Sequence, residues 1–133
     1  MLWNWKAEAE TWLSDPNVQI LSNGKAVLDS EANVVIVTHG LLLRPWIMTQ
    51  LTNTKYCWDA LIVDEAQAFK SILAKRTYAL YNNLTPSCDR VWLLSGTPCP
   101  NNISEIYTHI RNLDPKRITF GEKHPLTYNG FIK

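Results

Sequence analysis

Two adjacent carboxylates, Asp64 and Glu65, stand directly after the apolar run Ala60-Leu61-Ile62-Val63, and Gln67 follows two residues later. The run is apolar without alternation, which predicts the end of a strand buried on both faces. At the C-terminal end of a parallel strand, such a pair points into the crevice where open α/β sheets bind ligands. One carboxylate there can hold Mg²⁺ through its waters, and its neighbour can orient or deprotonate an attacking water. The same residues suit an acidic helix start, with Asp as the cap and Glu favouring the N-terminal dipole. Taken alone, the stretch leaves both readings open.

Two other polar segments also follow apolar runs. Thr38-His39-Gly40 comes after Val34-Val35-Ile36-Val37, and Ser95-Gly96-Thr97-Pro98 comes after a predicted strand over 90–94. The elements that must position them alternate. A helix is predicted over 2–13, with Leu2, Trp5, Ala9, Trp12 and Leu13 on its apolar face. Short strands follow over 18–21 and from Asn33 to Val37, separated by a turn at Ser22-Asn23-Gly24 and an ambiguous stretch over 25–30. A helix over 41–51 contains Pro45 in a first turn or break. After the strand over 58–63, one long helix is predicted over 66–84, with Phe69, Leu73, Leu80 and Leu84 near helical spacing. Asn101-Asn102 opens a last helix, with Ile103, Ile106, Tyr107, Ile110 and Leu113 as its apolar face and Asn102 with Glu105 as a capping box. The tail over 116–133 is weakly patterned.

Strands alternating with helices predict an α/β fold, a three-layer arrangement of a parallel sheet with helices on both faces. All three polar strand ends would then meet on one rim, and that convergence favours a site over a chance acidic helix start. Blander roles remain for single residues. His39 also suits a helix cap, Thr97-Pro98 a turn, and Lys70, Lys75 and Arg76 a solvated face.

Composition narrows the classes. The 133 residues fit at most one domain, with 46% hydrophobic residues to build a core and a net charge of +1 that gives no strong field. A local basic groove is compatible with that balance. Cys57, Cys88 and Cys99 contain no Cys-x-x-Cys pair, so neither a zinc site nor a disulfide framework is indicated. A reduced, intracellular protein without a membrane span or signal peptide is expected.

The motifs together resemble a known family. Leu61-Ile62-Val63-Asp64-Glu65-Ala66-Gln67 resembles the Walker B, or DEAD/DEAH-type, motif of superfamily 2 helicases, and Leu94-Ser95-Gly96-Thr97-Pro98 resembles their motif III. The continuation Cys99-Pro100-Asn101-Asn102, leading to Glu105-Ile106-Tyr107, is similar to the Swi/Snf-type branch. Val35-Ile36-Val37-Thr38-His39 sits where that branch has motif Ib, and Trp3-Asn4-Trp5 with Trp12-Leu13 is similar to its helix after motif Ia. The resemblance covers nearly the whole chain. It implies an incomplete RecA-like (P-loop NTPase) lobe, the first lobe of an ATP-dependent DNA translocase, over 1–133. It further implies ATP and Mg²⁺, with Asp64 holding the ion and Glu65 activating the hydrolytic water. Gln67 stands where His is commoner, and its amide is expected to hydrogen-bond across the site. Ser95, Gly96 and Thr97 would couple nucleotide to nucleic acid. Thr38, His39 and Arg44 would touch a strand of DNA, double-stranded by family.

One motif departs from that pattern. No G-x-x-x-x-G-K-[ST] loop occurs in the sequence: Gly24-Lys25 is followed by Ala26, and Gln19 stands where the first Gly belongs. Without a backbone cradle and its Lys, the carboxylate pair has little nucleotide to act on. The expectation is a chain that begins just after motif Ia and stops past motif III, inactive alone. A Walker A segment and a second RecA-like lobe would complete it, in cis or in trans, and the strand over 91–94 would present an open edge. The alternatives are a non-catalytic module that binds DNA or a partner, and an unrelated α/β domain with a chance acidic strand end.

Overall fold

The computed structural model of the chain describes residues 1–53, 55, 57–98 and 105–113, the side chains of residues 111 and 112 excepted. The chain divides into two compact units, Met1–Tyr56 and Cys57–Lys133.

In the first unit, helix α1 (Leu2–Trp12) lies against two parallel strands, β1 (Val18–Leu21) and β2 (Val34–Val37), paired in register from Val18 with Val34 to Leu21 with Val37. Two asparagines set that register. Asn17 donates its backbone N–H to Asn33 Oδ1 at 2.8 Å, and Asn33 Nδ2 donates to the Asp15 carbonyl at 2.9 Å. The crossover between the strands contains no helix. Over 22–33 it runs as turns and extended chain, which resolves the ambiguous stretch against a helix. Side chains of neighbouring elements hold it instead. Gln19 bonds Val27 and Asp29, and Gln50 bonds Ala26 and Leu28.

The expected helix over 41–51 is split. His39–Leu43 forms a 3₁₀ turn, and helix α2 (Pro45–Leu51) restarts with Pro45 in its first turn, where the missing N–H costs nothing. Among the described residues of this unit, Leu21, Leu28, Leu42, Ile47, Met48 and Leu51 are buried and apolar. Two expectations fail here. β2 is half-buried along its length rather than enclosed. Helix α1 buries no residue, and Trp12 of its expected apolar face is 78% exposed. Local i,i+4 contacts support α1: Trp12 Nε1 bonds Glu8 at 2.8 Å, and Lys6 pairs with Glu10 at 3.5 Å.

The second unit is built on a parallel pair, β3 (Leu61–Val63) and β4 (Val91–Leu93), aligned Leu61 with Val91, Ile62 with Trp92 and Val63 with Leu93. A bridge between Trp58 and Cys88 extends the pairing backwards. β3 is not enclosed on both faces, since Val63 is buried while Ile62 is 44% exposed. The long helix expected over 66–84 is absent as a continuous element. A 3₁₀ turn (Ala66–Phe69) is followed by a break, helix α3 (Lys75–Tyr78) and a wider i→i−5 turn (Ala79–Leu84).

One tertiary bond and two local turns mark the interruption. The Lys70 carbonyl accepts the Thr108 hydroxyl at 2.8 Å, while the Ala74 N–H turns back to Ser71. At the far end, both the N–H and the hydroxyl of Thr85 bond the Leu80 carbonyl. Phe69, Leu80 and Leu84 enter the core as expected, but Leu73 falls in the break and is 92% exposed. Phe69 meets Tyr81 edge-to-face, with centroids 6.2 Å apart. Helix α4 (Glu105–Leu113) supplies buried Tyr107, Thr108 and His109. Its expected opening at Asn101-Asn102, Ile103, the capping box and the tail over 116–133 lie outside the described residues. The described chain therefore has two two-stranded parallel sheets rather than a demonstrated three-layer sheet. Among the described residues, no helix is long and apolar enough to cross a membrane.

Candidate functional site

The strand pair of the second unit delivers the acidic residues. After Val63 the ladder with β4 continues for two more bonds: the Leu94 N–H donates to the Val63 carbonyl, and the Ala66 N–H to the Leu94 carbonyl, each at 2.8 Å. Asp64 and Glu65 are thus held in a tight turn between two points fixed to the neighbouring strand end. The turn requires left-handed backbone at Glu65, with φ 50° and ψ 47°, a conformation that a non-glycine residue seldom adopts. The Glu65 N–H bonds Asp64 Oδ1 at 2.9 Å, which orients the half-buried Asp64 carboxylate. The Glu65 side chain is exposed.

A chain of hydrogen bonds crosses from one strand end to the other. The Thr97 N–H donates to Ser95 Oγ at 3.1 Å, Ser95 Oγ donates to Gln67 Oε1 at 2.6 Å, and Gln67 Nε2 donates to Glu65 Oε2. The carboxamide carries this bridge because it offers an acceptor and a donor at once. Gly96 lies at an open flank, where an added Cβ meets nothing within 4 Å. Beyond the turn, Lys70 pairs with Glu105 at 3.0 Å and ties the segment after Gln67 to α4.

The donor chemistry at Asp64 and Glu65 suits Mg²⁺. That ion keeps several waters and takes one or two carboxylates together with phosphate oxygens, rather than a cage made by protein alone. Among the described residues, no group of three or more His, Cys, Asp or Glu side chains converges as such a cage.

Thr38, His39 and Arg44 belong to the first unit. Thr38 is exposed at the end of β2, and its carbonyl accepts the Leu41 N–H at 3.0 Å. His39 is half-buried and opens the 3₁₀ turn. Arg44 is exposed, and its carbonyl accepts the first helical N–H of α2, from Met48. The Arg44 side chain lies over Gly24, where a Cβ would come within 3.3 Å of its Cγ. A cavity of about 620 Å³ opens beside it, lined by Asn23, Gly24, Lys25, Leu41 and Arg44. Sequence reasoning missed Lys25 as a neighbour of Arg44. The available signal was the Gly-Lys pair in the turn after β1. The structure thus joins Glu65, Gln67, Ser95 and Thr97 directly, with Asp64 bonded to the Glu65 backbone, and groups Arg44 with Lys25.

Residues 1–124 match the family model of the SNF2-related domain. The chain belongs to the SNF2-related domain family. Among its relatives, the human DNA repair and recombination protein RAD54B is 30% identical over 118 residues, covering 84% of this chain and 12% of the relative. The bovine DNA excision repair protein ERCC-6-like is 34% identical over 76 residues, covering 56% of this chain and 6% of the relative. The Drosophila melanogaster SWI/SNF-related matrix-associated actin-dependent regulator of chromatin subfamily A-like protein 1 is 32% identical over 105 residues, covering 79% of this chain and 13% of the relative. This SNF2-related chain therefore spans a small fraction of the length of the relatives it matches.

Proposed function

We propose that this chain supplies the Walker B and motif III part of a first RecA-like lobe, in an ATP-dependent translocase or remodelling enzyme that acts on double-stranded DNA inside the cell. The observation that carries this reading is the hydrogen-bonded chain from Thr97 through Ser95 and Gln67 to Glu65. Glu65 takes the role of orienting and deprotonating the attacking water. Asp64 would hold Mg²⁺, and that ion when bound would neutralise charge on the phosphate oxygens. Gln67 fixes the Glu65 carboxylate and reports the position of the 95–97 segment to it. Thr38, His39 and Arg44 contact the DNA backbone. On this reading a phosphate-gripping loop and a second lobe complete the site, in cis or in trans, since no G-x-x-x-x-G-K-[ST] string occurs in the sequence to grip the phosphates.

A fluorescent ATP analogue titrated into the chain alone is expected to bind weakly or not at all. Sub-millimolar affinity overturns the half-site reading. In an assembly that carries the loop and second lobe, Glu65→Gln is expected to lower turnover by about 10²-fold or more while ATP binding persists. Unchanged turnover removes Glu65 from the mechanism. A second reading, a module that binds DNA and hydrolyses nothing, draws on the paired cations Lys25 and Arg44. DNA binding without turnover in the complete assembly would favour it.

A further inference from the structure

His109 is a buried titratable residue that the hydrolysis chemistry leaves unused. It is 7% exposed on α4, and among the described residues neither ring nitrogen completes a hydrogen bond. A buried polar group in that state costs free energy and calls for an explanation. The Pro98 carbonyl approaches the ring as an acceptor without reaching full hydrogen-bond geometry. Pro98 closes the Ser95-Gly96-Thr97-Pro98 segment, so the ring stands at the far end of the chain of bonds that leads to Glu65. Helix α4 also holds the near end. Glu105, Thr108 and His109 lie at i, i+3 and i+4, which puts them on one face of the helix. Glu105 Oε1 pairs with Lys70 Nζ at 3.0 Å, and the Thr108 hydroxyl donates to the Lys70 carbonyl at 2.8 Å. Lys70 in turn gives its N–H to the Gln67 carbonyl at 3.3 Å. These links form a circuit. It runs from Gln67 to Lys70, across α4 to His109, over to Pro98, and back through Thr97 and Ser95 to Gln67. The step from His109 to Pro98 is the incomplete one.

We propose that His109 is a positioning residue: its ring N–H takes the Pro98 carbonyl and so fixes where Ser95 and Thr97 stand against Gln67 and Glu65. The proposal rests on the reading of Glu65 as the carboxylate that orients water, and it adds the residue that sets the far end of that carboxylate's support. A neutral imidazole suits the task, because it has one N–H to donate and needs no counter-charge. A protonated ring carries a charge and a second N–H that must find an acceptor. The carboxylate that acts on it, Glu105, already holds Lys70. β4, which packs against α4, brings no titratable side chain over 91–93. Protonation therefore draws Glu105 away from Lys70 and loosens both ends of the circuit from one helix face.

The test is NMR spectroscopy of the isotopically labelled 133-residue chain. It follows the His109 ring, the Gln67 side-chain amide and the Thr97 backbone amide together. As the pH falls, the ring is expected to titrate below the ordinary 6.5, and the Gln67 and Thr97 signals are expected to shift with the same midpoint. His109→Leu fills the space without a donor. It is expected to lose that shared titration and to displace both signals at neutral pH. A titration of Gln67 that persists in His109→Leu belongs to Glu65 beside it, so only the part lost with the ring counts. His109→Gln restores an N–H donor that does not titrate. It is expected to return both signals toward their wild-type positions at neutral pH and to show no shift at the His109 midpoint. Packing alone would be satisfied by leucine, so wild-type signal positions in His109→Leu overturn the proposal. Displacement in His109→Gln as large as in His109→Leu also overturns it, as do wild-type Gln67 and Thr97 signals that ignore the His109 midpoint. Circular dichroism checks the fold, and where a variant loses it the wild-type titration decides. None of these readings uses ATP. Their failure leaves the hydrolysis reading standing, whereas unchanged turnover of Glu65→Gln in the complete assembly overturns that reading and leaves the His109 contact as measured.

Discussion

Ser95 donates its hydroxyl proton to the Gln67 side-chain carbonyl at 2.6 Å, joining two strand ends that lie 28 residues apart in the chain. Both side chains are half-buried, so the bond exchanges less with water than a surface contact does. Because the other end of the Gln67 amide holds Glu65, a displacement of the 95–97 segment reaches the carboxylate through a single side chain. Parallel pairing of β3 and β4 makes this possible, since only parallel neighbours put both C-terminal ends on one edge.

Removing the amide tests that connection. Gln67→Leu keeps the bulk and deletes both bonds, and it is expected to lower stability to urea by about 1 kcal/mol, the usual net worth of an intramolecular hydrogen bond. Ser95→Ala is expected to cost a similar amount alone and little more in the Gln67→Leu background. A double-mutant cycle reads the coupling, and full additivity of the two losses would show that the residues act independently.

The left-handed turn at Glu65 leads to a second expectation. A side chain with a Cβ pays about 1–2 kcal/mol for such backbone, and glycine does not. Glu65→Gly is therefore expected to raise the urea midpoint modestly while removing the carboxylate from the site. Glu65→Val, β-branched at the same backbone, is expected to lower it by more than about 1 kcal/mol. A destabilised glycine variant would mean that the Glu65 side-chain contacts outweigh the backbone strain. Strain retained at an exposed acidic residue fits a position kept for its chemistry rather than for packing.

These two residues also mark what could be read in the sequence. Apolar runs ending in polar residues located β1 to β4 and the turn that carries Asp64, and the Ser-Gly-Thr-Pro segment located the partner of Gln67. The helices were less legible. Residues 66–84 have helical spacing, yet Lys70 gives its carbonyl to Thr108 of a helix distant in sequence, and a pattern of local periodicity contains no trace of that bond. Helix α1 shows the opposite failure. Its apolar spacing implies a buried face, but Leu2, Trp5 and Ala9 of that face are only half-buried, Trp12 and Leu13 are exposed, and bonds along the helix's own surface support it. The neighbourhood of Lys25 and Arg44 depends on Trp46 and Gln50 reaching back to Ala26, a long-range contact that residue types alone do not announce.

Cysteine reactivity should separate along the β3–β4 bridge. Cys88 is partly buried beside the start of β4, and its thiol donates to the Leu84 carbonyl at 3.4 Å. Burial, reinforced by Cys57 and Asp89 nearby, pushes its pKa up to about 11. Only the thiolate is a good nucleophile, so Cys88 is expected to resist iodoacetamide under mildly alkaline conditions while exposed Cys57 is alkylated. Peptide mass mapping after short exposure reads the two sites separately. Equal labelling of both in the folded chain would contradict the environment assigned to Cys88, and labelling of Cys88 should rise as the pH approaches its own pKa.

Helix α4 makes stability depend on pH through His109. Its imidazole is buried, and burial pushes its pKa below the ordinary 6.5 against the opposing pull of the Pro98 carbonyl and the Glu105 carboxylate. The folded chain therefore prefers the neutral ring, whereas the unfolded chain takes up a proton near the ordinary value. The contribution of His109 is complete above 6.5 and declines as the pH falls from there toward the lowered folded value, because the unfolded state binds more protons in that window. Urea midpoints measured through that range are expected to fall with pH in the wild-type chain. His109→Gln, which cannot titrate there, is expected to flatten the slope even if its stability at neutral pH is lower. Parallel slopes in the two proteins would show that the ring keeps its ordinary affinity for a proton in the folded state.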